Sequence, residues 1–95
     1  MDYSKIEIQN KIEELAGLLT SPEDIAKILE VDEKEFFNEL KTKGSDVYRA
    51  FYRGFMQIEM QIKRDSINPV DVDAAEFNLK SITNFKSKLI IQLDG

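Results

Sequence analysis

Apolar residues recur at spacings of three and four along almost the whole chain, and nowhere do they alternate with polar ones as in a half-buried strand. Ile8, Ile12, Leu15 and Leu19, with Ile6, Ala16 and Leu18 widening the face, predict a helix over residues 3–19. The run Thr20-Ser21-Pro22-Glu23-Asp24 ends it and starts a second. Ser21 suits the N-cap, Pro22 the first helical position, and the two acids complement the dipole of the first turn. This helix covers residues 22–30 and is expected to bury Ile25, Ile28 and Leu29. Asp32, with Glu35 three residues on, resembles a capping box and opens a third helix over residues 33–41 that buries Phe36 and Leu40. Gly44 terminates it, and Ser45 caps a fourth over residues 46–67. Asn68-Pro69 breaks the chain and restarts it, Asn68 as cap and Pro69 as first residue, predicting a fifth helix over residues 69–93. The expected fold is all-α, with five helices in a single domain over residues 1–95: a short helical part over 3–41, then a long antiparallel hairpin over 45–93.

Within the first part, Ile25, Ala26, Leu29, Val31 and Phe36 occupy the packing positions of a helix-turn-helix unit. Ala26 allows close approach of the helix that follows, Val31 plugs the turn, and Phe36 fixes the third helix against the core. Glu30 stands where such turns often carry glycine, a departure that does not exclude the unit, because the turn need not have a positive φ in every variant. If the third helix is a recognition helix, Lys34, Asn38 and Lys41 project from one face, flanked by Glu33 and Phe37. Asn can read adenine in a bidentate way, and Lys can reach guanine or phosphate.

Charge opposes that reading. Residues 21–41 hold three lysines against seven acids, a net −4, whereas phosphate neutralisation supplies most non-specific DNA affinity. The positive charge lies in residues 42–67, with five basic residues against three acids in a chain whose net charge is −5. Arg49, Arg53, Lys63 and Arg64 form a ridge on the side of the fourth helix away from its core stripe, which is Val47, Phe51, Phe55, Ile58 and Ile62. That ridge suits a phosphate backbone, or the acidic faces of the two short helices in the same or a neighbouring subunit, or local pairs such as Asp46–Arg49. Beside the stripe runs a second apolar row, Tyr48, Tyr52, Met56 and Met60. The fifth helix offers Ala75, Leu79, Ile82, Phe85, Leu89 and Leu93 on one broad face and leaves Phe77 and Ile91 outside it. One small core can hardly bury all of this, so a homo-oligomer held by helices four and five is expected, with Tyr48, Tyr52, Met56, Met60, Phe77 and Ile91 at its interface.

Composition narrows the chemistry. Apolar residues at 42% and charged residues at 33% fit a folded chain and not a disordered one. A domain of this length buries only about two-thirds of its unfolded surface, so a partner subunit would help it. Without cysteine or histidine there is no disulfide, no thiol or zinc site and no histidine base. The acids lack the spacing of a calcium loop, and Gly17, Gly44, Gly54 and Gly95 form no phosphate cradle. Neither an enzyme nor a cofactor is expected. No signal peptide and no membrane span are read, so the expected location is the cytoplasm.

The segment Gly44-Ser45-Asp46-Val47-Tyr48-Arg49-Ala50-Phe51-Tyr52-Arg53-Gly54 carries a resemblance. A short helix-turn-helix, a Gly-Ser break and an aromatic-rich helix with Tyr-Arg-Gly resemble the small terminase-like proteins of phages and prophages, over residues 21–65. The resemblance implies a non-enzymatic DNA-recognition subunit beside a separate packaging ATPase, usually as a ring. Lys34, Asn38 and Lys41 would then be the DNA contacts, and helices four and five the ring interface. The acidic helix pair departs from that pattern, as does the short tail after Leu93. Two other readings stand beside it: a protein-interaction or oligomeric assembly module that binds no DNA, and an acidic virion or DNA-mimicking protein.

Overall fold

A computed structural model describes residues 1–94 as α1 (Ile6–Gly17), α2 (Pro22–Ile28), α3 (Glu33–Lys41), α4 (Asp46–Ile67) and α5 (Val72–Asp94), with no strand among them. Gly95 lies outside the described residues. α3 and α4 have the predicted bounds. Their caps are made as the sequence implies: the Asp32 carboxylate accepts the Glu35 N–H at 2.9 Å, and the Ser45 hydroxyl accepts the Tyr48 N–H at 3.0 Å. The Ser21 hydroxyl does the same for Asp24 at 3.2 Å, with Pro22 at the first helical position.

The other bounds differ, each for a local reason. α1 starts at Ile6 and not at residue 3, because the Asp2 carboxylate accepts the Ser4 N–H at 3.0 Å and turns the chain. This places Tyr3 ahead of the helix, with its ring 6.2 Å from that of Phe36. α1 ends at Gly17 because the Leu19 N–H reaches the Ala16 carbonyl and the Thr20 N–H the Leu15 carbonyl, both at 3.0 Å. That pair of bonds is a Schellman closure and requires the left-handed residue Leu19, φ 59°. α5 starts at Val72 and not at Pro69. Its cap is Asp71, whose carboxylate accepts the Ala74 N–H at 3.1 Å, while Asn68 and Pro69 belong to the connection. A cap at Asn68, directly after Ile67, would leave no residues to reverse the chain between the long helices.

Three apolar residues expected inside are exposed: Ile6, Leu18 and Ile28. In α2 the side chains of Pro22, Ile25, Ala26 and Leu29 centre on one direction, and Ile28 points about 110° away from it at 100° per residue. Ile6 and Leu18 are similarly displaced from the Ile12–Leu15–Ala16 face of α1.

All five helices contribute to one core. Its densest part is α1 laid along α4. The two run in the same direction, with Glu13 beside Gly54 and the α1 end, Gly17 to Leu19, beside Ile58, Gln61 and Ile62. A Cβ added at Gly54 would stand 2.0 Å from the Glu13 carbonyl oxygen, which is backbone and cannot give way. Ala16 and Ala50, both buried, keep the same interface thin. α2 and α3 close the end of this pair through Ile25, Phe36 and Leu40, all fully buried. α5 returns antiparallel to α4. Its Phe85 ring stacks 5.4 Å from Phe55 and 6.4 Å from Phe51, and Ile82 and Leu89 flank it on the same buried face.

Gly54→Ala is expected to destabilise the fold by about 3 kcal/mol, a fall of more than ~10 °C in melting temperature. Gly17 is the control: a Cβ there would meet the Gly54 carbonyl at 3.6 Å, an ordinary contact. Gly17→Ala should leave stability unchanged or raise it by up to ~1 kcal/mol through helix propensity. Thermal melts of the two variants, followed by circular dichroism, check the contrast.

Candidate nucleic-acid interface

The site is built from the turn upward. α2 ends as α1 does: the Glu30 N–H bonds the Lys27 carbonyl at 3.1 Å and the Val31 N–H bonds the Ala26 carbonyl at 3.0 Å. Glu30, between them, has φ 57°. The turn thus has the positive φ of the usual glycine position although its residue is Glu30. Glu30 adopts the left-handed conformation for which glycine is usually chosen, and it does so because the two crossed bonds leave no other geometry. Val31 is half-buried against the core, and Ala26 is buried beneath it.

The turn sets the direction of α3. Phe36 and Leu40 face inward with no exposure, and Lys34, Asn38 and Lys41 fall within an arc of about 60° on the opposite side at 100° per residue. All three are exposed. Glu35 and Glu39 lie toward Tyr3: burial pushes the Tyr3 phenol pKa up, and these two carboxylates add to the shift.

On the other flank stands a residue that no local pattern marks out. Gln92 of α5 lines a groove of 450 Å³ together with Lys34, Phe37, Asn38 and Lys41. Its side-chain oxygen is buried and has no hydrogen-bond partner among the described residues. The contact arises because α4 and α5 are nearly equal in length, 22 and 23 residues, so the hairpin returns the end of α5 to the level of α3. Comparing the two predicted helix lengths is the one signal that could have found it.

The basic ridge lies elsewhere. Arg49, Arg53, Lys63 and Arg64 are all exposed, on the side of α4 roughly opposite Val47, Phe51 and Phe55. α3 meets α4 through its buried Phe36 and Leu40, whereas the ridge lies on the opposite side of α4 from the buried stripe. The structure does not bring the two basic sets together in one copy. Three of the four ridge cations also have partners: Arg49 meets Asp46 at 2.8 Å, Arg53 meets Glu13 at 3.6 Å and Lys63 meets Glu59 at 4.0 Å. Arg64 has no carboxylate within salt-bridge distance among the described residues. Glu59 is also bonded by Lys86, whose ammonium lies 6.0 Å from the Phe55 ring centre, so this carboxylate ties α4 to α5.

The six side chains expected at an oligomer interface separate into groups. Tyr48 and Tyr52 are half-buried and pack on each other with ring centres 4.6 Å apart. Burial pushes the Tyr52 phenol pKa up, and the neighbouring Tyr48 phenol adds to it. Met56 and Met60 remain about half exposed on the outer face of α4, continued by Ile67 at 83%. Phe77 and Ile91 are exposed on the far side of α5, with Lys80, Asn84 and Lys88 around them. Among the described residues no group of three or more carboxylates is gathered to hold a metal ion, and no helix is long and apolar enough to cross a membrane.

A left-handed non-glycine residue costs about 1–2 kcal/mol, so Glu30→Gly is expected to stabilise the protein by ~1 kcal/mol, raising the melting temperature by several degrees. Leu19→Gly relieves the same conformation but removes a half-buried side chain, and should destabilise. Denaturant titrations of both variants check this.

Compared with known proteins, the chain matches no family model, no curated protein and no solved structure.

Proposed function

We propose that this chain is a non-enzymatic DNA-recognition subunit of phage or mobile-element type, similar to small terminase subunits, acting as a homo-oligomer beside a separate packaging ATPase. The observation that carries the reading is the α2–α3 unit. Its turn has a left-handed residue at the position where helix-turn-helix units favour glycine, and its second helix presents Lys34, Asn38 and Lys41 outward on one exposed face. Asn38 is the base-reading residue, and the lysines on either side of it reach guanine or phosphate. The surrounding acids make one copy a weak binder, so useful affinity comes from several copies on one duplex, where the second contact is intramolecular.

A second reading, an assembly module that binds no DNA, is favoured by the ridge. Most of its cations already face carboxylates of the same chain, and the apolar row between them is exposed.

Fluorescence-anisotropy titration of the full chain with duplex DNA at low salt separates the two. The DNA-binding reading expects saturable binding that weakens steeply with salt and is lost in Lys34→Glu/Lys41→Glu. It also expects Asn38→Ala to reduce discrimination between sites by about 1–3 kcal/mol. Absence of binding at tens of micromolar, or binding indifferent to the lysine changes, favours the assembly module and removes the DNA reading.

A further inference from the structure

The outer face of α4 and the α2–α3 turn are complementary in two respects. On α4, the exposed Met56, Met60 and Ile67 lie in one row, rimmed by Lys63 and Arg64. On the turn, the exposed Ile28 is followed within five residues by the exposed acids Glu30, Asp32 and Glu33. Each surface has an apolar centre, and the rims have opposite charge, which is the arrangement of a specific protein interface. The two cannot meet within one molecule. α3 packs on the buried side of α4 through Phe36 and Leu40 and carries α2 with it, whereas the Met56–Met60–Ile67 row lies about 160° from the Val47–Phe51–Phe55 stripe. Complementary patches on opposite sides of the same chain can be satisfied only by another copy. The contact is then heterologous, so that each copy donates its turn to one neighbour and its α4 face to the next.

We infer that the outer face of α4 docks the acidic α2–α3 turn of a second copy of this chain, in a head-to-tail assembly. The inference deepens the homo-oligomer element of the proposed function and rests on it. The existing pairs do not oppose docking. The Lys63–Glu59 contact is long, at 4.0 Å, and exposed on the lysine side, and Glu59 keeps Lys86 as a partner when Lys63 turns away. Neutralising Glu30, Asp32 and Glu33 by a neighbour also removes acid from the groove that Asp32 and Glu33 line together with Lys34, Asn38 and Lys41.

Two double variants test the arrangement, and neither touches Lys34, Asn38 or Lys41. Lys63→Glu/Arg64→Glu reverses the α4 rim, and Glu30→Lys/Glu33→Lys reverses the turn. All four positions are exposed, and circular dichroism checks that both variants keep the helical fold. Light scattering at low salt should give the wild-type chain a mass that is a multiple of 11.0 kDa, and each variant alone a mass near 11.0 kDa. An equimolar mixture of the two should assemble again, because each reversed rim then meets a reversed turn. A wild-type chain that is monomeric at tens of micromolar overturns the oligomer itself. A wild-type oligomer whose variants stay assembled, or whose dissociated variants fail to recover on mixing, overturns the head-to-tail contact and leaves the oligomer standing. Lys63→Glu/Arg64→Glu that stays assembled yet loses DNA binding overturns the contact by assigning the ridge to the phosphate backbone.

Discussion

The approach of α1 to α4 at Gly54 is the contact on which the other packing depends. With no side chain at that position, the Glu13 carbonyl lies against the α4 backbone itself. The axes come close enough for Ile12, Leu15 and Ala16 to lie directly on Phe51 and Phe55, and Arg53 comes within reach of Glu13. The contact joins residues about forty positions apart, so its loop-closure cost is met only when the rest of the core forms with it. α5 is attached differently. It is held by the Phe85 ring, two aliphatic side chains and the Lys86–Glu59 pair, and its outer surface carries exposed Phe77, Ile90 and Ile91. The order of cohesion therefore runs from the α1–α4 pair, through the short helices that close its end, to the returning helix.

How much of this the sequence disclosed depends on the range of the interaction. The caps at Ser21, Asp32 and Ser45 are local, three-residue events, and they were legible. The five helices and the inward faces of α3 and α4 followed from periodicity, because each face is long enough to average out single residues. The failures arose where a short element or a distant contact decides. The seven-residue α2 has too few turns to define its inward direction, so Ile28 was placed inside. The Schellman closures at Leu19 and Glu30 have no glycine to announce them. Gly54 reads in sequence as part of a Tyr-Arg-Gly motif, and nothing local reveals that Glu13 occupies the missing side-chain volume. Tyr3 and Gln92, the residues flanking α3 on either side, come from the two ends of the chain. Only the assembled fold brings them there.

The charge pattern takes on a sharper meaning in three dimensions. As a count along the chain, the acids of residues 21–41 and the bases of residues 42–67 look like adjacent blocks that ought to cancel. In the fold they are held on faces that point apart, so they leave a dipolar molecule. In the head-to-tail assembly proposed above, such separated patches would orient one copy against the next. This is compatible with reading DNA only if the bases that touch the duplex are not the ones spent between subunits. Lys34, Asn38 and Lys41 are distinct from the ridge cations Lys63 and Arg64, which meets that condition, although Asp32 and Glu33 line the same groove as the first three.

α4 runs without a break for 22 residues, about 33 Å at 1.5 Å per residue. Its first half packs against α1 and α3, and its second half lies beside the end of α1 and against α5 before the connection at residues 68–71. Such a rod behaves as a lever with its fulcrum at Gly54. From Gly54 to Ile67 is about 20 Å, so a tilt of about 5° there displaces the far end by about 2 Å. A shift of α3 against the first half of α4 would therefore be felt at the hairpin connection, residues 68–71, at the other end of the helix.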